Sequence, residues 1–134
     1  MSSIATIEGI GPAYAEKLKA AGVRSTETLL KVGGNTAGRK DLAAKTGIND
    51  AQILKWVNHA DLFRIKGIGG EYSELLEAAG VDTVVELANR NAANLFVKMQ
   101  EVNTAKKLVR KLPTQSQVED WVSQAKGLPR AVHY

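Results

Sequence analysis

The sequence predicts an all-α protein in which two tandem repeats form one compact pseudo-two-fold domain. Three observations carry that expectation. IEGIGPAYAEKLKAAGV, beginning at Ile7, returns as IKGIGGEYSELLEAAGV, beginning at Ile65; with residue n set against n + 58 from Ile7 to Leu30, twelve of twenty-four positions are identical. Farther on, QILKWVNHA from Gln52 matches QVEDWVSQA from Gln117 at an offset of 65, so the whole unit is duplicated and the second copy carries seven extra residues. Apolar residues recur at helical spacing and no run alternates with the period of a strand. The repeats span about residues 4–60 and 62–125, with a tail at 127–134.

The first helix follows the Gly-Ile-Gly turn. Tyr14, Leu18 and Ala21, with Ala15 beside them, put one face of a short helix on a core. Pro12 suits its first position, where a missing N–H costs nothing. Gly22 suits its end, because glycine enters the left-handed conformation without a Cβ penalty. Ser25 with Thr28 opens a second helix. A third covers about residues 39–45 and stops at Gly47; a fourth starts from an Asn49 cap and aligns Ile53, Trp56, Val57 and Ala60. In the second copy Gly80 ends the first helix, and Thr83 with Glu86 makes a capping box for the next. Three more helices are expected near residues 92–100, 104–112 and 114–125, the last opened by Thr114 and Gln117 after a break at Pro113. Between Trp56 and Tyr72 the link RIKGIG allows only two antiparallel or steeply crossed helices, with Ile68 plugged inward. The first copy has only MSSIAT ahead of its turn, too little for a supporting helix. The last helix, with Trp121, is therefore expected to close on the first turn and intertwine the two halves.

The composition excludes several classes of function. Without cysteine there is no disulfide framework, no thiolate metal site and no thiol nucleophile. No apolar run approaches the ~18 residues of a spanning helix and no basic-then-apolar leader opens the chain, so a cytoplasmic protein with no membrane partner is the expectation. The net charge of +4 leans toward a polyanionic partner. No P-loop, nucleophile–base pair or carboxylate cluster is present; His59 with Asp61 makes neither a triad nor a metal site, so neither catalysis nor a cofactor is expected.

An apolar-x-Gly-apolar-Gly turn, then Ala15 or Ser73, Leu18 or Leu76, and Gly22 or Gly80, resembles the helix-hairpin-helix motif. With GRKDLAAKTGI and ADLFRIKGIG, the chain from Ile4 to about Leu128 also resembles the family catalogued as domain of unknown function 4332. The motif resemblance implies sequence-independent binding of the DNA sugar–phosphate backbone. It further implies, as an option, a monovalent cation held by carbonyls around Ile7 to Gly9 and Ile65 to Gly67 when DNA is bound. Elementary physics is consistent with that use: a helix starting after Gly11 or Gly69 points unpaired N–H groups and its positive dipole end outward, with no side chain in the way.

The candidate phosphate-binding residues are Gly9, Ile10, Gly11, Lys17, Lys19 and Arg24 in the first copy, and Lys66, Gly67 and Gly69 in the second. A basic cluster, Lys106, Lys107, Arg110 and Lys111, joins them as one stripe of a helix able to track phosphates, or as a plain solvated helix end. The first copy is the better DNA-facing candidate, because Glu71, Glu74 and Glu77 crowd the second helix and repel phosphate. Leu75 replaces Lys17 there, and the Glu71-Glu74-Leu75-Glu77 face offers a protein-contact alternative if the leucine is exposed, or a packing difference if it is buried. Trp56 and Trp121 read as core anchors ahead of base-stacking groups. Two functions stay open: a non-catalytic DNA-binding protein, and a protein-interaction or scaffold module in which the glycines only make turns.

Overall fold

The computed structural model describes residues 2–134, and among them every regular element is helical; a single bridge joins Ser3 and Ser25. The chain divides into two compact units, residues 2–61 with Ala131–Tyr134, and Leu62–Arg130. The division falls where the two sequence copies meet.

In the first unit a 3-10 turn at Ile4–Thr6 leads into the Gly-Ile-Gly turn and then α1 (Pro12–Ala20), α2 (Thr26–Gly33), α3 (Thr36–Thr46) and α4 (Asp50–Leu62), the last helix reaching one residue past the division. The expected starts are visible as hydrogen bonds: the Ser25 hydroxyl accepts from the Thr28 N–H at 3.1 Å, and the Asn49 carboxamide accepts from the Ala51 N–H at 2.8 Å. Helix α3 begins three residues earlier than its apolar pattern indicates, because Asn35 caps it through the Gly38 N–H at 2.7 Å. Ile53, Trp56, Val57 and Ala60 of α4 are buried as a set, together with Ile4, Ile7, Leu18, Leu29 and Leu42. Tyr14, expected on the core face, is 40 % exposed and sets its ring edge-on to Trp56 at 5.1 Å.

The second unit contains α5 (Gly70–Ala78), α6 (Val84–Ala88), α7 (Ala92–Lys106) and α8 (Gln115–Lys126) around a core that includes Leu75, Leu76, Leu87, Leu95, Met99, Val118 and Trp121. Capping boxes open α6 at Thr83 with Glu86 and α8 at Thr114 with Gln117, as their spacing predicts. The separate helix expected at 104–112 does not exist. Nothing between Gln100 and Thr104 breaks the pattern, so α7 runs on to Lys106 and stops where Lys107 turns left-handed at φ 52°. The Asn103 carboxamide then fixes the following loop, accepting from the Val109 N–H at 3.0 Å and donating to the Val109 carbonyl at 3.2 Å. Lys106, Lys107, Arg110 and Lys111 therefore do not form a helical stripe: only Lys106 is helical, and the other three lie on this loop.

The intertwined arrangement is also corrected. Trp121 of α8 packs its ring 5.3 Å from Tyr72 in its own unit, and Gln124 brackets the second turn by accepting from the Lys66 N–H at 2.9 Å and donating to the Lys66 carbonyl at 3.2 Å. Trp56 of α4 does the equivalent for the first turn through Tyr14. The supporting helix lies at the end of each copy, not in the other copy, so MSSIAT needs to supply none.

Candidate nucleic-acid interface

The two Gly-Ile-Gly turns share one backbone plan at the 58-residue offset. Ile7 and Ile65 donate N–H to the carbonyls of Ile4 and Leu62, and Ile10 and Ile68 donate to Ile7 and Ile65. Ala15 and Ser73 then donate to Gly11 and Gly69 at 2.9 Å each, starting α1 and α5. Ile10 and Ile68 are both buried, so their side chains anchor the turns from beneath. Of the carbonyls suggested for a cation, those of Ile7, Ile65 and Lys66 already accept one protein hydrogen bond each, leaving one lone pair apiece.

The glycines divide into two kinds. Gly9 and Gly67 are required by the fold: their φ values are +91° and +100°, and a Cβ on Gly67 would stand 2.9 Å from the Trp121 indole nitrogen. The matching Cβ on Gly9 would lie 3.7 Å from the Trp56 indole nitrogen, which is buried with no hydrogen-bond partner. Gly11 and Gly69 have no such requirement. Their backbones are extended, at φ −82° and −113°, conformations any residue adopts, and a Cβ on either would meet nothing within 4 Å.

These two open glycines are also the N-caps of α1 and α5, which start without a side-chain cap. Ser25, Asn35, Asn49, Asn91 and Thr114 cap five of the others by accepting from a backbone N–H, and α6 opens with the Glu86 carboxylate accepting from the Thr83 N–H and hydroxyl. A serine or aspartate in place of glycine leaves the first N–H groups internally satisfied and crowded. Glycine leaves them bare.

Charge is arranged differently around the two helix starts. In the first copy Lys17 and Lys19 lie in the last turn of α1, about 9 and 12 Å along the axis from Gly11 at 1.5 Å per residue, and Arg24 lies beyond that end. The Lys17 ammonium rests 5.9 Å from the Tyr14 ring centroid. In the second copy, Gly67, Gly69 and Gly70 border an open cavity of about 360 Å³ that Tyr72, Arg110 and Lys111 also line. The Tyr72 hydroxyl ties the loop to the helix start by donating to the Lys111 carbonyl at 3.0 Å. Glu71 lines the same cavity and opposes an anion there. Lys66 is exposed beside the turn, while Lys106 and Lys107 do not line this cavity.

Leu75 is fully buried in the second core, which removes it from the Glu71-Glu74-Leu75-Glu77 face as a surface contact. Its neighbour Ser73 is buried too; α5 sinks deeper into its core than α1, where the equivalent Lys17 is exposed.

Helices α1 to α8 all lie within the stretch that one family model matches. The chain belongs to the DUF4332 family. The match covers residues 8–128, and the family is described as a domain of unknown function. No curated protein and no solved structure matches the chain. Among the described residues of this DUF4332 protein, no group of three His, Cys, Asp or Glu side chains could hold a metal ion, and no helix is long and apolar enough to cross a membrane.

Proposed function

We propose that this protein is a non-catalytic binder of the DNA sugar–phosphate backbone, gripping phosphates without reading base sequence in the manner of helix-hairpin-helix turns. One observation carries the reading: α1 and α5 start without a side-chain cap, at glycines whose backbone and surroundings would accept any small residue. A polar cap would stabilise the helix by about a few tenths of a kcal/mol over glycine, and both copies do without it. Bare N–H groups at the positive end of a helix, with no Cβ in front of them, suit close approach by an oxyanion.

The second turn is the stronger half of this proposal. It adds Arg110 and Lys111 at the helix start, where the first turn has its cations at the far end of α1. Phosphate contacts of this kind position a duplex and give salt-dependent affinity without sequence preference. Titration of a fluorescent duplex with the wild type and a Gly11→Ala/Gly69→Ala variant tests the reading: weakened binding by a fully folded variant supports it, and equal binding overturns it. The scaffold alternative keeps the acidic residues of α5 and the mild net charge, but Leu75 is buried and adds nothing to its surface.

A further inference from the structure

Residues 131–134, expected from the sequence to form a tail, are part of the first unit, and the manner of their attachment is unusual for a chain segment with no regular structure. They lie on the corner between α2 and α3. The His133 N–H donates to the Gly34 carbonyl at 2.6 Å, and the Arg39 guanidinium donates to the His133 carbonyl at 2.8 Å, so both backbone groups of one residue are read. Between these contacts and Ala131, the Val132 side chain is 1 % exposed. Gly34 permits the approach: a Cβ there would stand 2.7 Å from the Ala131 carbonyl oxygen.

Arg39 is also bonded within the corner itself. It is only 6 % exposed, and its other bonds go to the Gly33 carbonyl at 2.8 Å and the Thr36 hydroxyl at 3.1 Å. A buried guanidinium needs acceptors for its donors, and here one acceptor comes from a residue 94 positions away in sequence. Backbone recognition through one N–H and one carbonyl, with a pocketed side chain beside them, is how proteins hold extended peptides.

We propose that the α2–α3 corner is a peptide-binding groove whose resident ligand is this chain's own Ala131–Tyr134. The ligand class is an extended segment with a β-branched aliphatic side chain preceding a residue that offers both backbone groups to Gly34 and Arg39. Residues 131–134 have no regular structure of their own, and the groove so proposed releases and rebinds them. This inference is independent of DNA binding.

The test uses the full chain carrying Val132→Asp, which places a charge in the pocket and releases the segment. With isotope-labelled variant, the backbone resonances of Gly34 and Arg39 are expected to move from their wild-type positions. A synthetic GLPRAVHY peptide, added in excess, is expected to return them, and the same peptide with aspartate for valine to leave them displaced. Wild-type resonances in the variant, or a folded variant that the native peptide does not shift, overturn the proposal. Amide hydrogen exchange on the unaltered chain decides if the variant fails to fold. The His133 N–H is expected to exchange by local opening at least roughly a hundredfold faster than the slowest amides of α4, and exchange no faster than those amides would make the segment an integral part of the core.

Discussion

Gly67 and Gly69 stand two residues apart in the same turn, and replacing each by alanine separates fold from binding. Gly69→Ala puts a methyl group into open space on an extended backbone. Two small terms act on stability: reduced freedom of the unfolded chain favours alanine by about 0.4–1 kcal/mol, and the poorer N-cap disfavours it by a similar amount. The net change is expected within about 0.5 kcal/mol, which moves the melting temperature by about 3 °C or less. A phosphate held by the bare N–H groups would meet that methyl group. Loss of one charge-assisted hydrogen bond, about 1.5–3 kcal/mol, weakens binding roughly tenfold to a hundredfold.

Gly67→Ala acts on the other property. Its left-handed backbone at φ +100° costs a residue with a Cβ about 1–2 kcal/mol, and the 2.9 Å approach to the Trp121 indole adds overpacking of about 1–3 kcal/mol. A loss of that size is a large fraction of the stability of a small protein. Circular dichroism melts paired with duplex titration by fluorescence anisotropy at low salt read both variants. A Gly69→Ala protein that melts and binds like the wild type removes the argument from the bare caps. One that melts like Gly67→Ala shows that Gly69 is structural after all.

The charge arrangement makes a second prediction: Arg110→Glu/Lys111→Glu lowers DNA affinity and flattens the slope of log K against log salt by about two units, while Lys106→Glu/Lys107→Glu changes it less; titrations across a salt series decide. Leu75→Ala, in the buried core, is expected to destabilise by about 2–5 kcal/mol in urea unfolding. Lys17→Ala at the equivalent exposed position should stay within about 0.5 kcal/mol. Glu27 accepts from the Thr26 hydroxyl at 2.9 Å and the Ser2 N–H at 3.3 Å, and chiefly the Thr26 bond holds its carboxyl below the ordinary glutamate value. Its contribution is therefore present above the unfolded carboxylate range and lost as pH falls through the lowered value. Glu27→Gln should be less stable than wild type at neutral pH, with the difference closing in acid; equal differences at both pH values would contradict the assignment.

Much of the helical plan was legible because its signals are local. Caps at Ser25, Asn49, Thr83 and Thr114 depend on a side chain and an N–H two or three residues away, and each appears where the spacing places it. The failures involve partners beyond those short spacings. No residue between Gln100 and Thr104 breaks a helix, but a pattern split into short segments hides one continuous α7; it ends where Lys107 turns left-handed, and the Asn103 carboxamide holds the loop beyond through the backbone of Val109. The role of Trp121 depended on which turn it supports, and the repeat alignment alone fits support within a copy as well as exchange between copies. Tyr72 and Gln124 settle that locally. Among the candidate site residues, the distinction between Gly67 and Gly69 was invisible, because both are glycines at equivalent places in a turn and only φ and the neighbouring indole separate them.

The seven extra residues of the second copy bear on why the duplicated turns differ. In the first unit only Gly47, Ile48 and Asn49 separate α3 from α4. In the second, the connection from α7 to α8 runs from Lys107 to Thr114 and brings Arg110 and Lys111 to the start of α5. Positive charge at the N-terminal end of a helix works against the helix's own dipole, so this placement does nothing for the stability of α5. It does offset Glu71 at the same cavity, and it supplies there what α1 keeps in its last turn, where cations do favour the helix. Charge on the first helix is thus accounted for by helix stability, whereas charge at the second helix start is not. If phosphate is the ligand, the insertion moved the stronger contact to the second copy, despite the acidic residues along its helix.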